Sequence, residues 1–311
     1  MLDVKRLRVL REVSARGSFS AAAEALAYTQ SAVSQQIAAL EREAGTVLVE
    51  RNARGVRLTE AGRALVGHAD VILARLADAE AELEAIAGMR GGRLRMVSFA
   101  TAGATIAPRA IARFRARHPG VEVTLAPREP DEGLDCLKAG ECDIALTVEA
   151  GFEPIADRAI ERHHLLDDPF YLCVAAGHRV ATKARVRLAD LAEESWIMGT
   201  TGRCPDGRVL ERACQGAGFE PRVAFQSDDY NAIQGFVAAG VGVCLIPDLA
   251  LVAVRDDVVI RCLEGRTLVR SVLATTLAGG YVSPAAAAML EILDEVSAEW
   301  VAQQGSLALA G

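Results

Sequence analysis

The chain has 311 residues, 51% hydrophobic and 24% charged, with a formal net charge of −7. That length accommodates two or more domains with sizeable cores. No stretch approaches the roughly twenty uncharged apolar residues that span a bilayer, and the N-terminal MLDVKRLRVLREV lacks a signal-peptide core, so a cytoplasmic protein is expected. The acidity is unevenly placed: residues 1–60 hold nine Lys/Arg against seven Asp/Glu, and the net negative charge lies in the remainder. An acidic whole is thus compatible with a nucleic-acid partner for its first sixty residues.

Residues 18–44, SFSAAAEALAYTQSAVSQQIAALEREA, contain two short helical patterns joined by a tight polar turn. Ser20 is placed to cap the first, with Ala22, Ala23, Ala25 and Leu26 as its inner face. Thr29 caps the second, in which Val33, Ile37 and Leu40 recur three or four apart. The other face of that helix carries Gln30, Ser31, Ser34 and Gln35, uncharged groups able to donate to and accept from base edges in a major groove. Periodicity alone fits two ordinary core helices with a solvated face equally well. The next segment, VLVERNARGVRLT at 47–59, favours a reading head: two short apolar runs flank a turn bearing Arg51, Arg54 and Arg57, a wing suited to phosphates or a narrow minor groove.

A helix is predicted from Thr59 and Glu60 to about Ala87. Along it Leu65, Ala69, Ile72, Leu76, Ala79, Leu83 and Ile86 fall at alternating four- and three-residue steps, flanked by Glu80, Glu82 and Glu84. Such a seam suits pairing with a second copy, while an amphipathic helix packed on its own domain is the alternative. GMRGG at 88–92 reads as a hinge. Beyond it, strands are predicted at 94–99, 121–126, 143–148, 159–166, 171–175, 195–198, 222–226, 241–246, 258–263 and 271–275. Helices are predicted at 105–117, 131–139, 205–216, 229–239 and 284–303. This alternation indicates a largely parallel sheet covered by helices in two α/β lobes.

These residues resemble the LysR-type transcriptional regulators over essentially the whole chain. The likeness is carried by FSAAAEALAYTQSAVSQQIAALE, VERNARGVRLTEAG, the long helix, LRMVSFATAGATIAPRAIARFRARHPGVEV and VAAGVGVCLIP. It implies an all-α winged helix-turn-helix N-terminal domain at 1–58 and a linker and dimerisation helix with hinge at 59–91. An α/β two-lobed, periplasmic-binding-protein-like effector domain follows at 92–311, with lobe I at about 92–166 and 269–304 and lobe II at about 167–268. It further implies double-stranded DNA and a small-molecule effector as partners, and a homodimer that pairs into a tetramer. By position, Gln30, Ser34 and Gln35 match the family's base-reading residues and Arg51 to Arg57 its wing. Two positions depart: many members have Pro in place of Ser31 and Arg in place of Gln35, and an amide there shifts preference toward adenine.

In a two-lobed domain a small molecule lies in the cleft, held at strand ends and helix N-termini. Lobe I offers Ser98, Phe99, Ala100, Thr101 and Glu129; many relatives have serine where Phe99 stands, leaving Thr101 to supply a hydroxyl. Lobe II offers Gly199 to Cys204, with Thr200, Thr201, Arg203 and Cys204 as side chains, and Ser227, Asp228, Asp229 and Tyr230 at a helix start. Asp228 and Asp229 also fit a helix cap, and Glu129 a solvated loop. If these acids face the cleft they favour an effector bearing an amine, with Arg203 for its carboxylate, that is, an amino-acid-like molecule. Effector binding would move the lobes and, through 88–92, respace the reading heads.

Seven cysteines without CxxC spacing read as reduced core residues, apart from Cys204 in a glycine-rich loop, where a ligand-facing or redox thiol is the alternative. His163 and His164 are adjacent in a strand, point to opposite faces and make no shared metal site. No cofactor or metal is expected. The rival function is an α/β enzyme or small-molecule-binding protein with an accessory helix-turn-helix, but GxSxG, phosphate-loop and dinucleotide fingerprints are all missing from the sequence. A solute-binding transport component is opposed by the reading head and the lack of a signal peptide.

Overall fold

The computed structural model describes residues 1–52, 55–86, 92–152, 154–199 and 205–308, with backbone alone at 51–52, 55, 78, 81–82, 84–86 and 304–308. Two units separate within it, Met1–Met89 with Lys138–Glu141, and Arg90–Leu137 with Cys142–Gly311. No described helix is long and apolar enough to cross a membrane.

The first unit opens with a helix not singled out from the sequence, α1 (Val4–Arg16), capped by the Asp3 carboxylate and closed by Gly17 at φ 62°. Leu7, Leu10 and Val13 bury one stripe of it against α2 (Phe19–Ala25) and α3 (Gln30–Ala44). The cap of α2 is Ser18, two residues before the expected Ser20, because the apolar face begins with the buried Phe19. Ala22 and Ala23 are buried as expected, whereas Ala25 ends the helix and is exposed. Thr29 caps α3, and Val33, Ile37 and Leu40 are buried beneath it. The wing is an antiparallel hairpin of β1 (Val49–Asn52) and β2 (Gly55–Leu58), followed by α4 (Glu60–Ile86). A Cβ at Gly62 would collide with the Leu48 carbonyl oxygen, so α4 starts hard against the base of the wing only because position 62 is glycine.

The second unit runs β3 (Gly92–Ser98), α5 (Ala100–Ala104), α6 (Ile106–Arg117), β4 (Val121–Pro127), α7 (Pro130–Lys138), β5 (Ile144–Ala150), β6 (Ile160–Ala175) and β7 (Arg185–Val186). It continues with β8 (Ser195–Met198), α8 (Asp206–Gly216), β9 (Arg222–Gln226), α9 (Tyr230–Ala238), β10 (Cys244–Pro247), β11 (Val258–Leu263), β12 (Val269–Leu277) and α10 (Pro284–Ala308). The main sheet has the order β4-β3-β5-β12-β6-β11-β7, with β10 also on β6 and β8-β9 as a separate parallel pair.

It is mixed rather than largely parallel: β3 is parallel to β4 and β5, but β12 runs antiparallel to both β5 and β6, and β10 and β11 antiparallel to β6. The two strands expected at 159–166 and 171–175 are one strand, β6. Its first part pairs with β12 in one lobe and its last part with β10 and β11 in the other. Asp167, Asp168 and Pro169 read as a break, yet Asp168 is fully buried because β12 supplies Arg270 to neutralise it. The lobe I core gathers Phe114, Leu146, Met289 and Trp300 between sheet, α6 and α10, and the lobe II core gathers Trp196, Leu172 and Leu210.

In the turn between α2 and α3, Ala27 has φ 54°, the one left-handed non-glycine among the described residues. That conformation costs an L-residue about 1–2 kcal/mol, while glycine's extra freedom when unfolded costs about 0.4–1 kcal/mol. Ala27→Gly is therefore expected to raise unfolding free energy by about 0.5–1 kcal/mol, read as a higher urea midpoint at unchanged slope.

Candidate functional site

On the first unit the exposed face of α3 presents Gln30, Ser31 and Gln35, with Ser34 half-buried between them and the core. The Thr29 hydroxyl accepts from Ala32 N at 3.2 Å, so the helix begins at a defined residue and Gln30 occupies its first turn. The wing is held to this helix by one carboxylate: Glu41 Oε1 accepts from Leu48 N at 2.8 Å and Val49 N at 3.2 Å. Val56 N donates to the carbonyl of Gly17, tying β2 to the end of α1. Arg57 is exposed on β2 opposite Glu50, and Arg51 lies on the β1 backbone opposite Val56. Arg54 lies outside the described residues.

On the second unit a narrow cleft is lined by Phe99, Ala100, Thr101 and Glu129 from lobe I, by Gly199, Asp206, Ser227, Asp228 and Tyr230 from lobe II, and by Arg270. Eight of the residues expected from sequence thus meet in it: Phe99, Ala100, Thr101, Glu129, Gly199, Ser227, Asp228 and Tyr230. Glu129 and Asp228 are half-buried rather than solvated. The helix cap is Asp229, which accepts from Asn231 N and Ala232 N, leaving Asp228 to the cleft. Ser98 is turned into the lobe, its hydroxyl donating to the Phe99 carbonyl at 3.0 Å. Thr200, Thr201, Arg203 and Cys204 lie outside the described residues, as do 88–91 of the expected hinge.

Sequence reasoning missed the polar centre of the cleft. Arg270, 1% exposed, donates from Nε and Nη2 to Asp168 Oδ2 at 2.9 and 2.8 Å, from Nη1 to Asp206 Oδ2 at 2.7 Å, and from Nη2 to Thr101 Oγ1 at 2.8 Å. Tyr230 donates its hydroxyl to the same Asp206 oxygen at 2.6 Å. The other oxygen, Asp206 Oδ1, is buried with no hydrogen-bond partner among the described residues. Burial pushes the Asp168 carboxyl up from its usual range, against the lowering pull of Arg270 and the Leu249 N–H. A charge interrupting each of two apolar strands, Asp168 in β6 and Arg270 in β12, was the available sequence signal; a buried ion pair is the arrangement that permits both.

No metal-binding cluster exists among the described residues. His164 Nε2 meets Asp167 Oδ1 at 2.9 Å, while His163 Nε2 is buried without a partner among the described residues. Cys142, Cys173, Cys214 and Cys244 are buried, and burial pushes the Cys214 thiol up to about 12, the environment of inert core cysteines, whereas Cys136 is half-buried and Cys262 is exposed, so neither is the core residue expected.

Replacing Arg270 by Met leaves Asp168 buried without its partner and is expected to cost about 3–5 kcal/mol. Adding Asp168→Leu is expected to restore most of that stability, as measured by denaturant unfolding of single and double variants.

The family model described as "LysR substrate binding domain" matches residues 87–298, and that described as "Bacterial regulatory helix-turn-helix protein, lysR family" matches residues 4–63. The chain is 30% identical over 298 residues to a probable HTH-type transcriptional regulator LrrA of Synechococcus elongatus, covering 96% of this chain and 98% of that one. The structure of a full-length OxyR point variant from Pseudomonas aeruginosa superimposes with a TM-score of 0.74 at 21% identity, covering 96% of this chain and 95% of that one. Full-length CbnR complexed with its target DNA superimposes with a TM-score of 0.67 at 23% identity, covering 95% of this chain and 100% of that one.

Proposed function

The chain belongs to the LysR family of DNA-binding transcriptional regulators, and from that premise we propose that it reads its operator through α3 and the wing and responds to an amine-bearing small molecule in the cleft. It is a regulator with an effector-binding domain, not an enzyme.

On the operator side Gln30, Ser31, Ser34 and Gln35 take base edges, and Arg57, with Arg51 and Arg54, takes the backbone or a narrow minor groove. Glutamines at 30 and 35 suit bidentate contact with adenine, each such pair worth about 1–3 kcal/mol of discrimination. The start of the α4 seam is already used internally, since Ala69 is fully buried and Leu65 packs on the same core. Farther along, Ile72, Leu76 and Leu83 are 38%, 41% and 65% exposed, which supports pairing with the same helix of a second copy and, through two such dimers, a tetramer. The protein acts in the cytoplasm, where its operator lies.

The observation that carries the effector reading is the buried Asp206 carboxylate, whose Oδ1 lacks any donor among the described residues while its other oxygen takes two. An ammonium group brings three donors and a positive charge to that oxygen. Asp228 and Glu129 line the same space, and the guanidinium of Arg270 is taken up by Asp168 and Asp206, so a purely anionic molecule meets repulsion. An amino-acid-like effector meets these acids through its ammonium group.

Sequencing DNA fragments selected by the purified protein at fixed salt is expected to return an interrupted palindrome. Arg57→Ala is expected to weaken all sequences alike and lower the salt slope by about one, whereas Gln30→Ala changes the preferred base at one position. Identical behaviour of the two variants would refute this division of roles. In thermal-shift screening, amino acids and amines are expected to raise the midpoint and simple carboxylates not to; the reverse order would sink the effector reading.

A further inference from the structure

Side chains alternate along a strand, so Asp167 and Ser271, register partners on β6 and β12, face away from Asp168 and Arg270. On that reverse face they border a groove of about 800 Å³, open to solvent, with Val209 and Arg212 of α8 on one side and Phe152, Arg266 and Leu268 among its other walls. Its charge is the opposite of the cleft's. Asp167 is engaged, accepting from Ser271 Oγ at 3.1 Å and meeting His164 Nε2 at 2.9 Å. Arg212 and Arg266 are exposed, and among the described residues neither is paired with a carboxylate. Arg212 instead lays its guanidinium over the Phe152 ring, 4.5 Å from the centroid, and that ring is itself 38% exposed. Gly265, at φ 88°, turns the loop that carries Arg266.

Two arginines on an open surface are ordinarily just solvated. These two share a walled concavity with an exposed aromatic ring, a buried Val209 and a half-buried Leu268. A guanidinium held over a ring by cation–π attraction still has N–H donors with which to take a carboxylate. We propose that this groove is a second ligand site, for a flat organic anion: an aromatic carboxylate held by Arg212 and Arg266, with its ring against Phe152, Val209 and Leu268. The site is independent of the cleft, whose acids reject such a molecule, and it lies on the reverse of the two strands that hold the Asp168–Arg270 pair.

Isothermal titration of the full chain with phenylacetate tests this, with phenethylamine and inorganic phosphate as competitors. Saturable binding at one site is expected, weakened tenfold or more by Arg212→Ala and by Arg266→Ala and not displaced by phenethylamine. Both arginines are exposed, so each variant is expected to keep the wild-type thermal midpoint and circular dichroism. Absence of saturable binding, or binding undiminished in both variants, overturns the proposal. Displacement by phosphate at the same concentration as phenylacetate overturns the role given to the ring.

Discussion

Arg270 and Asp168 form an ion pair, 1% and 0% exposed, on which the second unit is organised. Taking such ions out of water costs several kcal/mol each even after the protein relaxes. Here the cost is offset by hydrogen bonds from one guanidinium to Asp168, Asp206 and Thr101, with the rings of Phe99 and Phe170 at 5.3 and 5.8 Å from its centre. Those partners come from α5, β6 and α8, so a single side chain joins one lobe, the strand that crosses between lobes, and the other lobe. Asp168 extends the network by accepting from Leu249 N at 3.0 Å. A hydrophobic replacement of the pair would fill the space but would not select which elements meet there.

The same pair explains the character of the cleft. Because Arg270 is consumed by structural carboxylates, the remaining acids that line the space leave it negative, and Asp206 keeps one oxygen satisfied twice and one that no described residue satisfies. On the reverse face of the same strands the groove is lined instead by Arg212 of α8 and by Arg266 of the loop before β12. Alternation along β6 and β12 sends Asp168 and Arg270 to one side and Asp167 and Ser271 to the other, so the crossing strands separate the cleft from the groove.

The reading head is governed by a different constraint, the placement of a short hairpin against a helix. β1 and β2 have four residues each and could not hold their position alone. Glu41 supplies two acceptor contacts to the base of the wing, Thr59 Oγ1 donates to the Val47 carbonyl at 2.8 Å, and Gly62 lets α4 approach the chain at Leu48. The roles proposed for the glutamines of α3 and the arginines of the wing require their backbones to be held at a fixed separation, and these contacts set it.

Periodicity made the reading head, the long helix and most strands and helices legible, because each records burial of one face along a local stretch. Val33, Ile37 and Leu40 at helical spacing, and the strands at 195–198, 222–226 and 258–263, need no distant partner to be recognised. The helix start that carries Thr101 and the loops that carry Glu129 and Asp228 to the cleft were legible too, once a two-lobed architecture is inferred. Strand direction and the polar centre of the cleft were not. Asp168 and Arg270 are 102 residues apart, and each alone reads as a break in an apolar strand. Only when β12 returns antiparallel beside β6 does the charge of one cancel that of the other, turning two apparent strands into one and bringing Asp206 to the same guanidinium. The local pattern of apolar residues determined which segments form elements, since that energy is counted along the chain. The tertiary structure decided which charges are buried, since that energy exists only between residues the fold brings together.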